Sequence, residues 1–455
     1  MNKNSFHHAF RVDQSICVGC THCMRVCPTQ AIRVRNGKAQ VMPERCIDCG
    51  ECYRVCPVHA FKINQDDLSA IRQYTITVAL LPAVMTGQFP DEISTDQIYQ
   101  AIHSLGFTHV FEVEQSVDFL KEQIQTYTQQ HDNKPLISSF CPAVVRLIQV
   151  RFPSLTDHII RIKAPHDLTA ELVKNELKAK GFNEQEIGIF YITPCAAKIA
   201  AVKSPVGEDK SVINGVINMD SFYDRIMAQI KKGIARNPAI QRTHLTPAAI
   251  TWSLTNGEVQ HARGRALAID GIRNVNDFLE KIENEEITDV DFLELRACDE
   301  SCAGGILCHA NRFLTAERLR SRAAASAKED IEYGLTGKNN PEATLFLQTK
   351  MTTGPIDPRP IKLDNDLPNA LKKLERIREL MCFMPGFDCG ACGAPDCHAL
   401  AEDIVQKRSN ISDCIFMQHT SLINRDHAQR IIFKIWGEEA LNKDCSKKGA
   451  KNEGS

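Results

Sequence analysis

The sequence is poor in aromatic side chains, in net charge and in long apolar runs. Aromatics are 6% of its 455 residues, with tryptophan at two positions, and the formal net charge is −2. A balance so near zero points neither to nucleic acid nor to an anionic membrane as a partner. No apolar stretch approaches the roughly 20 residues of a membrane span. The N-terminus, MNKNSFHHAFRVDQ, lacks an apolar signal core. These absences give the expectation of a cytoplasmic protein without a membrane span. At 43% hydrophobic and 24% charged the composition is ordinary for a globular chain. Its length calls for about two to four domains. What the chain has in excess is cysteine, at 19 positions. In a secreted protein these would suggest disulfides, whereas CxxC spacings in a long chain without a signal suggest metal. Sixteen of the 19 fall into groups that can each hold an iron–sulfur cluster, so the chain is expected to handle electrons. Exposed clusters are oxygen-sensitive, which gives the expectation of an anaerobic setting.

Residues 12–63 contain an internal repeat in which Cys17 matches Cys46 at a period of 29 residues. Each unit reads C-x2-C-x2-C-x3-C-P. That spacing lets three thiolates of one tight loop grip a cubane while the fourth reaches across to the other cluster. Cys17, Cys20, Cys23 and Cys56 are expected to hold one 4Fe–4S cluster, and Cys46, Cys49, Cys52 and Cys27 a second. Pro28 and Pro57 end the loops. The segments AIRV and AFKI after them are expected as short strands pinning the lobes. A zinc ribbon is the alternative, and eight cysteines at this double spacing argue against it. His22 reads as a solvated neighbour, since four thiolates complete the site. The segment resembles bacterial two-cluster ferredoxins.

Near the other end, Cys389, Cys392, Cys397 and Cys414 have the spacing C-x2-C-x4-C-x16-C. Gly390 and Gly393 permit a tight wrap around inorganic sulfide. HALAEDIVQ reads as an amphipathic helix that returns the chain so that Cys414 closes the cage. The segment resembles the small four-cysteine 4Fe–4S domain of anaerobic electron-transfer proteins, with zinc as the alternative occupant. Cys308, Cys382 and Cys445 fall outside the groups.

Between these ends, residues 75–320 alternate strand-like runs with helical periods, which predicts an α/β domain with mostly parallel sheets. TITVALLP is the first run. PLISSF leads to Cys141 and then to a helix beginning near Pro142. IGIFYITP leads to Cys195. VDFLELRA leads to Cys298 and Cys302. Ligands of open α/β sheets collect beyond the carboxyl ends of the strands, where three of these runs deliver their cysteines. Four thiolates meeting there can hold a cubane. The alternative is four buried structural cysteines, but each lies beside proline or in a glycine-containing loop rather than mid-strand.

SSFCPAV, TPCAAK and ELRACDESCAGG resemble, in order and spacing, the three signature segments of the iron-only (FeFe) hydrogenase catalytic domain. IKAPHDL and ITWSLTNGEVQHARGRALAIDGIRNVNDFLEKI are similar to that family as well. The resemblance implies that Cys141, Cys195, Cys298 and Cys302 bind a 4Fe–4S cubane. It also implies that Cys302 bridges to a diiron subsite carrying carbon monoxide and cyanide, and that Lys198 hydrogen-bonds a cyanide. Four 4Fe–4S clusters and this diiron subsite are the cofactors so implied. H2, protons and a ferredoxin-like or signalling redox protein are the implied partners. His166 in APHDL is expected as a packing or hydrogen-bonding residue.

Several positions depart from the family pattern. The cysteine that relays protons directly before the first ligand is replaced by Phe140, and a phenyl ring carries no proton. Thr193 and Arg296 stand in place of methionines. A glutamate is replaced within IAAV by Ala201. The Pro-Gly-Gly before the last cysteine is Asp299, Glu300 and Ser301, an acid pair that adds negative charge next to an anionic cofactor unless Arg296 compensates. All four thiolates remain. The departures point to a sensory or low-activity form, with an electron-transfer subunit lacking the diiron unit and an active hydrogenase as alternatives. The expected organisation is a two-cluster domain at 1–68, the hydrogenase-like domain at 69–330, a linker at 331–366, a helix and 4Fe–4S domain at 367–435, and a disordered tail at 436–455.

Overall fold

The structure, a computed structural model, describes residues 6–233, 244–327 and 340–420. The segment 436–455, with Cys445, lies outside these residues. The chain divides into two compact units. The first comprises residues up to 11, 47–50 and 62–360, and the second comprises 12–46, 51–61 and 361 onward.

The first unit is α/β with parallel sheets. Its strands are β1 (Ile76–Leu81), β2 (His109–Glu112), β3 (Leu136–Ile137), β4 (Ile187–Thr193), β5 (Gly215–Asn218), β6 (Ala266–Asp270) and β7 (Phe292–Arg296). One sheet has the order β2-β1-β4-β5 and the other β6-β7-β3, and every pairing is parallel. All residues of β1, β4 and β7 are buried. Strands covered on both faces have no solvated side, so they read as unbroken apolar runs. Beyond the two residues of β3 the chain stays buried, and side chains take over from the ladder. There the Ser138 hydroxyl donates to Glu258, and that of Ser139 to the Ile162 carbonyl.

Helices α1 (Pro142–Arg151), α2 (Pro165–Ala179), α3 (Ala196–Lys203), α4 (Arg312–Ser326) and α5 (Pro341–Lys350) complete the part of this unit that matters here. Proline opens α1, α2 and α5, where its fixed φ suits the first turn and its missing N–H is no loss. The stretch 331–366, expected as a linker, therefore contains a helix. α5 packs on α2 with Ala343 and Leu347 buried. α4 is anchored by Arg322, whose guanidinium donates to both oxygens of buried Glu112 at 2.7 Å.

In the second unit the helices His22–Val26 and Glu51–Arg54 pack together. AIRV lies in one arm of an antiparallel hairpin, Ile32–Arg35 with Lys38–Val41. Further on, the helix Leu367–Phe383 packs against the helix Cys397–Val405. The C-terminal segment, expected as a domain of its own, is stapled to this hairpin region by buried ion pairs. Asp403 meets Arg33 at 2.6 Å and Arg35 at 2.7 Å, and Glu402 meets Arg45. The backbones touch as well, since Val34 N–H donates to the Gly393 carbonyl at 2.8 Å. A Cβ on Gly393 would lie 1.8 Å from the Val34 carbonyl oxygen, so only glycine permits this approach.

Candidate metal centres

The repeat is legible in the backbone. Gly19 and Asp48 have φ of 68° and 54°, Thr21 and Gly50 have 67° and 92°, and Gln30 and His59 have 52° and 51°. Each pair is 29 residues apart, so both loops use left-handed residues at the same three places. In the second unit one cavity is lined by Cys17, Cys20, Cys23 and Cys56, closed by Val34, Val58, Ala60 and Phe61. Burial, with Cys20, Cys17 and Cys56 beside it, pushes the Cys23 thiol up to about 12. Crowded thiols of this kind suit a site meant for iron, whose charge favours thiolates. Backbone N–H groups already point at sulfur, Ala39 to Cys17 at 3.3 Å and Ala60 to Cys56 at 3.3 Å. Of the second quartet, Cys27 caps the helix His22–Val26 and accepts from Ala31 N–H at 3.1 Å. Cys52 lies in the helix Glu51–Arg54, and Cys46 and Cys49 lie in the loop before it. His22 is exposed.

A second cavity is lined by Cys389, Cys392, Cys397 and Cys414, with Pro385, Phe387, Leu400 and Phe416 around them. Cys397 opens its helix, its N–H donating to Asp388 at 2.8 Å. Arg35 reaches the Cys392 carbonyl at 2.6 Å. Of the sixteen grouped cysteines, Cys389 is the exposed one. Gly390 has φ of 71°, as the wrap requires, whereas Gly393 serves chiefly the close approach to Val34.

The first unit holds the third group. Cys141 caps α1 and Cys195 caps α3, each just beyond a strand end. Cys298 follows β7, and its carbonyl accepts from Ser301 N–H at 3.0 Å. Cys302 lies in the turn Ser301–Gly304 and donates its N–H to the Ser253 carbonyl at 3.1 Å. The neighbouring Gly305 is pressed against motif two, for a Cβ there would lie 2.5 Å from the Pro194 carbonyl oxygen. Burial pushes the Cys195 thiol to about 12; nearby Lys198 opposes this, and Cys302 and Cys141 add to it. The Lys198 ammonium lies 3.5 Å from the Cys302 sulfur. Burial works against that ammonium, but Cys302, Tyr191, Cys195 and Glu114 hold its pKa above the usual lysine value. The structure thus brings the Cys141, Cys195 and Cys302 thiols together beside Lys198, and Cys298, four residues before Cys302, would supply the fourth thiolate of a cubane.

The departures interlock. Arg296 lies 3.7 Å from the centroid of the Phe140 ring and Lys198 lies 4.6 Å from it. Arg296 does not compensate the acidic pair. It is buried and meets Glu258 at 2.7 Å and Glu294 at 3.4 Å. Asp299 is met by Arg312 at 2.7 Å and Glu300 by Arg320 at 3.3 Å, both from α4. Glu300 and Ser301 keep φ of 59° and 51° although neither is glycine. That left-handed geometry costs about 1–2 kcal/mol per residue. It is held by Glu300 N–H donating to Asp270 at 3.0 Å and by the Ser301–Thr255 hydroxyl contact at 3.1 Å. His166 is buried and stacks on Tyr191, with centroids 5.1 Å apart. Burial, then Lys198, pulls its pKa down to about 3, so it is a neutral packing residue.

Four features escaped the sequence reading. Glu258 and Glu294 lie inside the hydrogenase-like segments, where no role was read for either carboxylate. Glu114 is buried beside Glu112 and pushed up to about 8 by that burial and that neighbour. Cys308, set aside as ungrouped, donates its thiol to the Cys302 carbonyl at 3.3 Å. Its six-residue distance from Cys302 was the available signal.

Comparison with known proteins agrees with this geometry. Residues 75–234 match the family model "Iron only hydrogenase large subunit, C-terminal domain". Residues 9–57 match a 4Fe-4S dicluster domain, and residues 384–416 match a putative Fe-S cluster domain. Iron hydrogenase 1 of Clostridium pasteurianum is 24% identical over 209 residues, 44% of this chain and 35% of that protein. The periplasmic Fe hydrogenase large subunit of Nitratidesulfovibrio vulgaris is 27% identical over 212 residues, 42% of this chain and 50% of that one. The chain thus spans between a third and a half of the length of these relatives. Among solved structures, a variant of an FeFe-hydrogenase from Chlamydomonas reinhardtii aligns with 15% identity and a TM-score of 0.47, covering 63% of this chain and 95% of that one. Among the described residues no helix is long and apolar enough to cross a membrane. With its three domain matches and distant hydrogenase homologues, the chain is an FeFe-hydrogenase-like iron–sulfur protein, with a dicluster match before the segment that resembles the hydrogenase model and an Fe–S match after it.

Proposed function

We propose that this chain is an electron-transfer protein built on a hydrogenase-type domain, carrying four 4Fe–4S clusters and no diiron unit. The clusters supply one-electron chemistry at low potential. The ligands are the two ferredoxin quartets, the quartet Cys389, Cys392, Cys397 and Cys414, and the central Cys141, Cys195, Cys298 and Cys302. Electrons exchange with a redox partner at the exposed Cys389 edge. Lys198 offsets thiolate charge at Cys302 rather than a cyanide.

The observation that carries this reading is the Phe140 ring, packed on both Arg296 and Lys198. The residues beside Lys198 do not fit a diiron unit. The lysine faces a phenyl ring where the family resemblance implies a cyanide, and the arginine in a methionine position is tied to two carboxylates.

The test is an anaerobic infrared spectrum after loading with clusters and a diiron precursor. The expected result is no bound carbon monoxide or cyanide bands, with about sixteen irons per chain held as four cubanes. Protein-bound bands would overturn the reading and leave a sensor or an enzyme. Phe140→Cys alone is expected to yield no hydrogen turnover in a methyl viologen assay, because Arg296 remains. A sharp rise would show that only the relay was missing.

A further inference from the structure

Two buried carboxylates, Glu258 and Glu294, share the single guanidinium of Arg296 close to the central cysteines. They are not equally supported. Glu294 accepts from three backbone N–H groups, those of Asn256 at 3.1 Å, Glu258 at 2.8 Å and Val259 at 3.1 Å. Glu258 has the Ser138 hydroxyl at 2.6 Å and the arginine. Glu258 also lines a small cavity together with Ser139, Phe140, Lys163 and Trp252. Trp252 is 1% exposed, and its indole N–H has no acceptor among the described residues. The space is about one water in size within mostly apolar walls, and Ser139, Lys163 and the Trp252 N–H are the polar groups beside Glu258 that hold such a water, which brings protons to the carboxylate.

We propose that Glu258 is a proton-binding site that takes up one proton when the central cluster is reduced by one electron. This rests on the reading that a cubane occupies Cys141, Cys195, Cys298 and Cys302. The electron goes to the cluster irons. A Glu258 oxygen takes its proton from cavity water as that water takes one from solvent, so one O–H bond forms at Glu258 for each proton drawn from solvent and the water is left unchanged. The cause is charge. Reduction adds a negative charge beside an arginine already matched against two carboxylates, and the less supported carboxylate yields. Burial and Glu294 favour the protonated form, while Arg296 and Ser138 oppose it. Of the other groups facing this cluster, Lys163 is held by Glu208 at 2.5 Å and Glu171 at 3.6 Å, and Lys198 by Cys302.

The test is a redox titration of the fully loaded protein, followed by electron paramagnetic resonance over several pH units. The signal that disappears in Cys298→Ser marks the central cluster. Its potential is expected to fall by about 59 mV per pH unit, the one-electron equivalent of a tenfold change in proton activity. In Glu258→Gln the slope is expected to vanish while the other signals are unchanged. Ser138→Ala, a milder change, is expected to keep the slope and move its onset to higher pH, since a donor to the ionised form is lost. A flat potential in the native protein, or an unchanged slope in Glu258→Gln, would overturn the proposal. A loaded protein that holds about twelve irons, with no signal lost in Cys298→Ser, would instead overturn the reading beneath it.

Discussion

Asp403→Ala is expected to destabilise the second unit by about 3–5 kcal/mol, because it leaves the buried Arg33 guanidinium and the partly buried one of Arg35 without their shared carboxylate. Asp403 is 1% exposed, and Arg33 and Arg35 both reach it within 2.7 Å. Removing one partner of a buried pair costs more than the pair itself contributes, since the remaining charge keeps its desolvation penalty. The effect should be local. Arg33 and Arg35 flank Val34, whose N–H holds the Gly393 carbonyl in the C-terminal cluster loop. Denaturant unfolding should therefore show an earlier transition, with loss of the cluster at Cys389, Cys392, Cys397 and Cys414 before the others. Asp403→Asn keeps the shape and some hydrogen bonds, so its loss should be smaller. An unchanged midpoint in the alanine variant would show that the ion pairs contribute nothing.

Arg296→Met has an expected cost of similar size, about 3–5 kcal/mol, for the mirrored reason: two buried carboxylates lose their only shared cation. The loss should also depend on pH. The Glu258 pKa is already raised in the folded protein, chiefly by burial. Without Arg296 it rises further, while in the unfolded chain a glutamate keeps a value of about 4.3. Above that pH the unfolded state binds fewer protons than the folded state, so stability falls as pH rises until the folded carboxyl itself ionises. Thermal melts across pH should show the variant deteriorating toward neutrality relative to the native chain. Adding Glu258→Gln should recover much of the loss at neutral pH. Recovery that is equal at all pH values would show that shape, not charge, was at stake.

The sequence carried the fold of the strands well and the electrostatics poorly, for a physical reason. Runs such as ITVALL and IGIFYIT are buried on both faces, so their composition alone declares them as parallel strands. The cysteine quartets are likewise local patterns, and two of them line single cavities. By contrast, the partners of Arg296 lie 38 and two residues away, with nothing in the spacing to single them out. Hence the arginine could be expected to meet Asp299 and Glu300, which α4 in fact neutralises through Arg312 and Arg320. α5 was hidden among turn formers and is recognisable mainly by the Asn340 cap and Pro341 that open it. The staple between the hairpin and the C-terminal helix joins residues some 370 apart, beyond the reach of any periodicity.

The paired left-handed residues of the repeat have a consequence for assembly. In each cysteine loop one of the first two such positions is glycine and the other is not: Gly19 with Thr21, and Gly50 with Asp48. Each loop thus carries a torsion that its side chain disfavours, and the two loops carry it at opposite places. A newly made chain has reason to leave those loops relaxed until metal arrives, so that insertion of iron and sulfide is also the last step of their folding.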